Sequence, residues 1–184
     1  MRTLLRTALS FLLILSPALC RAENVVVEHN FHELSASHIK FSKNAAGKAN
    51  GVAAIDDDVT YTCAGEAQFG MDRVYGNKIA LNLNDNTGAV TTTRFEDLTK
   101  ITLWFYPDDK TRENIKIQLS TDGAVWGDDL SEGVTYMPGQ IEATFPRGDY
   151  YVRIHNTSNT KYVSILQTRF TSTTDDCNCF VYTP

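Results

Sequence analysis

The segment 101–120 limits the folds open to this chain most strongly, because apolar and polar side chains alternate along two stretches of it. The apolar positions are Ile101, Leu103 and Phe105 in the first stretch and Ile115, Ile117 and Leu119 in the second. A repeat of two residues is that of a β-strand with one apolar face, whereas a helix repeats every 3.6 residues. Turn-forming residues follow each stretch, at 107–110 and at 120–123. We therefore predict a hairpin of two strands.

Short alternating or β-branched stretches recur along the rest of the chain, with turn residues between them. They lie at 25–27, 37–42, 60–69, 78–84, 90–94, 134–137, 140–145, 149–155, 162–170 and 180–182. No window keeps a helical period, so we expect only short helical turns, at 31–34 and 95–98. Many short strands separated by turns predict an all-β fold, a single antiparallel β-sandwich of jelly-roll type.

The first 22 residues have the pattern of a secretory signal peptide. A basic start with Arg2 and Arg6 precedes a short apolar run, and the triplet 20–22 has small residues at both ends, Cys20 and Ala22, as signal peptidase requires. The run is too short to span a bilayer. We predict cleavage after Ala22, one domain over 23–184, and a secreted protein, periplasmic or extracellular. A lipid anchor on Cys20 is the alternative, but Leu19 is larger than the residue that such anchors require.

The charge of the chain limits its partners. The full sequence has 17 basic and 22 acidic residues, and loss of the signal peptide leaves 14 basic ones, a net charge of −8. An acidic surface argues against nucleic acid and against anionic membranes as partners. No second apolar run is long enough for membrane insertion. We therefore expect a carbohydrate or a cell-surface protein as the partner.

Three cysteines, Cys63, Cys177 and Cys179, remain after the signal peptide is removed. Export permits disulfides, so we predict a bond from Cys63 to Cys177 or Cys179, with one cysteine left over. Three buried, reduced thiols are the alternative. A zinc site is disfavoured, because a Cys-x-Cys pair supplies too few ligands.

Two motifs suggest a family. Ser120, Asp122, Gly123 and Trp126 form Ser-x-Asp-Gly-x-x-Trp at the end of a predicted strand, and a Gly-x-Tyr-x-x-Arg-Ile-x-Asn stretch occupies 148–156. With the order of the strands between 78 and 170, they resemble the galactose-binding-like jelly rolls of secreted bacterial proteins and carbohydrate-binding modules. The resemblance implies the fold, and it indicates a ligand class only weakly.

The outward face of the central strands carries the candidate site. Trp104 and Tyr106 point away from the apolar stripe, and Lys116 and Gln118 lie on the same side of the predicted hairpin. If the strand at 149–155 belongs to this sheet, three further side chains join them: Tyr151, Arg153 and His155. Aromatic rings stack on sugar C–H faces, and the polar groups bind hydroxyls. The alternative is that a loop or the amino-terminal strand covers Trp104 and Tyr106.

Trp126 follows a turn, where it either forms a platform in an exposed loop or folds back to plug one end of the sandwich. His29, His32 and His38 are interpreted as surface residues rather than metal ligands. Acidic pairs or runs at 56–58, 108–109, 128–129 and 175–176 leave a structural calcium ion as an alternative to solvated turns. We expect no other cofactor.

The sequence shows no nucleophile motif and no phosphate-binding glycine loop. It therefore predicts a non-catalytic glycan-binding module. The alternatives are a structural or adhesive surface protein and, less favoured, a small glycan-cleaving enzyme, which would need two carboxylates across a cleft. Asn156 begins a glycosylation sequon that matters only in a eukaryotic host.

Overall fold

The computed structural model describes residues 22–34, 39–41, 52–55, 59–71, 78–106, 112–130 and 133–174. These residues form twelve strands and two short 3-10 turns. The first six strands are β1 (Ala22–Asn30), β2 (Ile39–Phe41), β3 (Val52–Ile55), β4 (Val59–Ala64), β5 (Ala67–Met71) and β6 (Ile79–Leu83). The others are β7 (Ala89–Thr92), β8 (Phe95–Phe105), β9 (Ile115–Ser120), β10 (Val134–Met137), β11 (Gln140–Asn156) and β12 (Val163–Thr174).

The strands form two antiparallel sheets that share β11. In sheet 1, β12 pairs with β8 along one edge and with β6 and β1 along the other. β5 pairs with β6 and extends the sheet on that side. The first half of β11 pairs with β8 and with β10. Sheet 2 has the order β2-β3-β4-β7-β11-β9 and uses the second half of β11. The pairing of β11 with β8 is irregular around Gly148, where the strand passes from one sheet to the other.

One apolar core lies between the two sheets. Ile101, Leu103 and Phe105 of β8 are buried together with Ile117 of β9 and Ile154 of β11. Alternate residues of these strands face outward, as the period of two requires. The predicted all-β antiparallel sandwich is confirmed.

The predicted hairpin of the two alternating stretches is wrong. Both edges of β8 are occupied, by β11 and by β12, and β9 pairs with the second half of β11 instead. The alternation and the turn residues specify strands and a reversal of the chain, but they do not specify which strand supplies the hydrogen bonds.

Several local predictions are settled by the strands. A 3-10 turn at Phe31–Glu33 confirms the helical turn expected there. The helical turn expected at 95–98 is wrong, because β8 begins at Phe95. The predicted strands at 134–137 and 140–145 are confirmed, and β10 and β11 pair as a hairpin across Pro138 and Gly139.

The leader and the cysteines of the tail lie outside the described residues. Residues 1–21, Cys177 and Cys179 belong to these segments, so cleavage and the disulfide stay predictions. The Cys63 side chain is buried in the core, and burial raises the pKa of its thiol to about 12. Within the described ranges there is no helix long and apolar enough to cross a membrane.

Candidate functional site

The structure divides the predicted site residues between the outer faces of the two sheets. Trp104 lies on β8 in sheet 1, and Tyr106 directly follows this strand. The other five strand residues lie on sheet 2: Lys116, Gln118, Tyr151, Arg153 and His155. The predicted single surface is therefore wrong, because its two halves belong to different sheets.

The register of β9 with β11 brings the five residues of sheet 2 together. Gln118 lies opposite Arg153, and Lys116 lies opposite His155. Tyr151 lies opposite Ser120 at the end of the pair. Residues directly opposite in an antiparallel pair share one face, and all five side chains are partly exposed. We call this surface the sheet 2 face.

The loop 121–130 runs along the other edge of β9. The Gly127 N–H donates to the Leu119 carbonyl at 3.0 Å, and the Leu130 N–H donates to the Ile117 carbonyl at 2.9 Å. The Gln118 side-chain amide adds a bond to the Gly127 carbonyl at 3.0 Å. Backbone bonds at two points hold this loop against the strand, so its side chains have fixed positions beside the sheet 2 face.

The Ser-x-Asp-Gly-x-x-Trp motif builds the turn that starts this loop. One Asp122 carboxylate oxygen accepts the N–H groups of Ala124 and Val125, both at 2.8 Å, and the Ser120 hydroxyl at 2.9 Å. These bonds, first those from Val125 and Ala124, lower the pKa of Asp122. Gly123 has φ +73°, and a Cβ there would lie 3.3 Å from the Tyr151 ring. The motif therefore packs the turn against Tyr151 and sets where the chain delivers Trp126.

Two side chains of the loop reach over the sheet 2 face. The Arg153 guanidinium carbon lies 5.8 Å from the centre of the Trp126 ring, within the range of a cation–π contact. The His155 Nε2–H donates to the Asp129 carboxylate at 2.7 Å. Trp126 is partly exposed, and it is not among the side chains that pack against the core. The structure thus places Trp126 on an outer surface and not as a plug.

Asp129 is the residue of this surface that the sequence did not single out. Its only signal was membership of an acidic pair, which is usual in solvated turns. The link to His155 depends on the path of the loop along β9, and no local spacing encodes that path.

Trp104 on sheet 1 has a different environment. The Arg169 guanidinium carbon lies 5.1 Å from the centre of its ring. Glu28 of the amino-terminal strand accepts two bonds from Arg169, at 2.8 and 2.9 Å, and a third from Gln167. The Arg169 bonds lower the pKa of Glu28 and raise that of Arg169. The amino-terminal strand thus reaches Arg169 through Glu28, and the Trp104 and Tyr106 side chains stay partly exposed.

The other candidate ligands are engaged or lie outside the described residues. The His29 ring nitrogen Nδ1 is hydrogen-bonded to the Tyr61 hydroxyl, so His29 is not the surface residue expected. Among the side chains that the structure describes, no three His, Cys, Asp or Glu residues converge on a common point. His38 and the acidic runs at 56–58, 108–109 and 175–176 are not described. Asn156 is fully buried, and its amide donates to the carbonyls of Leu83 and Lys161, so the folded chain does not present the sequon.

Comparison with known proteins gives little. No protein-family model matches the chain, and no curated protein matches it. Among solved structures, a carbohydrate-binding module of Roseburia intestinalis, described as a low-affinity xylan-binding module, is 16% identical. The match covers 61% of this chain and 93% of that module, with a TM-score of 0.36.

Proposed function

We propose that this protein is a secreted, non-catalytic glycan-binding module and that the sheet 2 face is its binding surface. The observation that carries the proposal is the placement of Trp126, partly exposed, over Arg153 and beside the polar side chains of β9 and β11. An indole ring stacks on the C–H face of a pyranose, and Arg, Gln and Lys side chains donate hydrogen bonds to its hydroxyls.

The rigidity of the loop supports this proposal. Trp126 lies between the Asp122 turn and the two backbone bonds that tie 127 and 130 to β9. A ring held in place before the sugar arrives loses little conformational freedom on binding, which favours affinity. The sheet 2 face is the outer face of a sheet with a loop along one edge. Such a surface suits a glycan chain that lies across the strands.

Trp104 and Trp126 provide a matched pair of variants for the test. Trp126→Ala should weaken the binding of a glycan found by array screening of residues 23–184 by about 1–3 kcal/mol, by analogy with base stacking on aromatic rings. Its melting temperature should change little, because the ring lies outside the core. Trp104→Ala, on the outer face of sheet 1, should leave the affinity unchanged. Equal affinities of wild type and Trp126→Ala, or no glycan bound at all, would refute the proposal.

A structural or adhesive role is the second candidate, and one observation favours it. β10 pairs only with β11 among the described strands, and Tyr136 and Met137 on it are 41% and 40% exposed. An open edge strand with exposed apolar side chains can pair with another chain. A failed glycan screen together with self-association, abolished by Met137→Lys, would favour this function.

A further inference from the structure

We propose that the glycan recognised by the sheet 2 face is an acidic one, whose carboxylate or sulfate group binds Arg153 and Lys116. This inference rests on the proposed function and adds the class of ligand. It starts from the ion pairs among the described residues, because none of these pairs includes either cation.

Arg153 differs from the other arginine side chains that the structure describes. Arg94 binds Asp149 at 2.8 Å, Arg147 binds Asp97 at 2.9 Å, and Arg169 binds Glu28 at 2.8 Å. The Arg153 guanidinium contacts the Trp126 ring, and no described carboxylate lies within ion-pair distance of it. A guanidinium presents a planar fork of donors that fits a carboxylate with two parallel bonds. Among the described residues, the guanidinium on the proposed binding face therefore has an aromatic neighbour and no carboxylate partner.

Lys116 gives the same face a second cation, which forms no ion pair with any acidic side chain that the structure describes. It lies opposite His155, and Arg153 is two residues from His155 on the same strand. Diagonal neighbours of this kind are about 7–8 Å apart, so one acidic group can lie between the two cations. Asp129 of the flanking loop, which lies next to His155, already accepts a bond from its ring.

The net negative charge of the protein repels an acidic glycan only weakly at the sheet 2 face. The net charge without the signal peptide is −8, but charges more than about 8 Å away are largely screened at physiological ionic strength. At contact distance the two cations dominate. Asp122 directs its carboxylate into the backbone of its own turn, and Asp128 lies exposed in the same loop.

The geometry of an acidic sugar fits the pairing of Trp126 with Arg153. A uronic acid has its carboxylate directly on the pyranose ring, so one residue can stack on the indole and reach the guanidinium 5.8 Å from the ring centre. A sulfate ester extends from the same ring by one further oxygen. Both groups present oxygens to the same donors, and the experiment distinguishes them.

Titration calorimetry with three oligosaccharides of one backbone tests the inference: a uronic acid form, its carboxyl-reduced neutral form and a sulfated neutral form. We expect the uronic acid or the sulfated form to bind at least about tenfold more tightly than the neutral one. The charged form that binds more tightly identifies the acidic group. Arg153→Gln should abolish the difference between the charged and the neutral forms, while Lys116→Gln should reduce that difference. Arg94→Gln is the control for net charge, because Arg94 is paired with Asp149.

The two proposals fail in different ways. Equal binding of the neutral and acidic forms by the wild-type protein would overturn the acidic ligand and leave the glycan-binding function standing. A preference for acidic forms that survives Arg153→Gln, in a variant with the wild-type melting temperature, would also overturn it. No binding of any of the three oligosaccharides, after a negative glycan array, would overturn both proposals.

Discussion

Replacement of Tyr61 by Phe removes one hydroxyl group, and we expect its loss to destabilise the sandwich. The Tyr61 hydroxyl is hydrogen-bonded to His29 Nδ1 at 2.8 Å and to Thr168 Oγ1 at 2.9 Å. Tyr61 and Thr168 are fully buried, and His29 is 5% exposed. The network therefore joins β1, β4 and β12 inside the core, and burial raises the pKa of the Tyr61 hydroxyl.

The magnitude follows from the groups that lose a partner. Each hydrogen bond contributes about 1 kcal/mol net, and a buried polar group left without a partner costs about 1–3 kcal/mol. The phenyl ring stays in place, so the packing of Tyr61 against Phe31 and Phe69 is kept and no large cavity forms. We expect Tyr61→Phe to lower the free energy of unfolding by about 3 kcal/mol, which is roughly 6–12 °C in melting temperature for a protein of this size.

Urea unfolding of a double-mutant cycle measures this effect. Thr168→Val removes the other hydroxyl at nearly constant volume, so the double variant should cost less than the sum of the single ones. Tyr151→Phe is the control, because this tyrosine is partly exposed on the sheet 2 face and should change stability by less than about 0.5 kcal/mol. A loss below about 0.5 kcal/mol for Tyr61→Phe, or strict additivity in the cycle, would refute the reasoning.

Two further predictions concern a buried amide and an ion pair. Asn156→Ala should lower the free energy of unfolding by about 2–4 kcal/mol, since the carbonyls of Leu83 and Lys161 lose their donor, and a urea midpoint unchanged from wild type would contradict this. The pKa of Glu28 is lowered from 4.5, chiefly by its bond to Arg169, so the stability it contributes is present above pH 4.5 and is lost as the pH falls through the folded pKa. Glu28→Gln should therefore flatten the acid limb of a melting-temperature profile, and an unchanged acid limb would be evidence against that role.

The strands could be predicted because their signals are local. The alternation of Ile101, Leu103 and Phe105 specifies one buried face wherever β8 is placed, and all three side chains are buried. The positive φ of Gly139, +71°, fits the tight turn of the hairpin at 138–139. The pairing of strands could not be predicted in the same way, since any strand with an apolar face can lie beside β8.

The parts of the candidate site that depend on local sequence could also be predicted. The outward orientation of Arg153 and His155 follows from the period of β11, and the Asp122 turn follows from its motif. The separation of Trp104 from Arg153 depends on β11 crossing between sheets near Gly148. The contact of Asp129 with His155 depends on the path of a loop. Both are consequences of long-range packing, which a single sequence does not display.

The two tryptophans show why position within a sheet decides what an outward aromatic ring does. Trp104 lies on a strand with neighbours on both edges, so side chains from β12 flank it, and Glu28 fixes the guanidinium of Arg169 beside it. Trp126 lies in a loop beyond β9, where the described chain forms no further strand. No carboxylate in the described segments forms an ion pair with its partner Arg153. Both rings are partly exposed, but Glu28 holds the guanidinium beside Trp104. A ligand that binds at the loop meets a guanidinium that it need not first separate from a described carboxylate, so it loses less free energy to desolvation there.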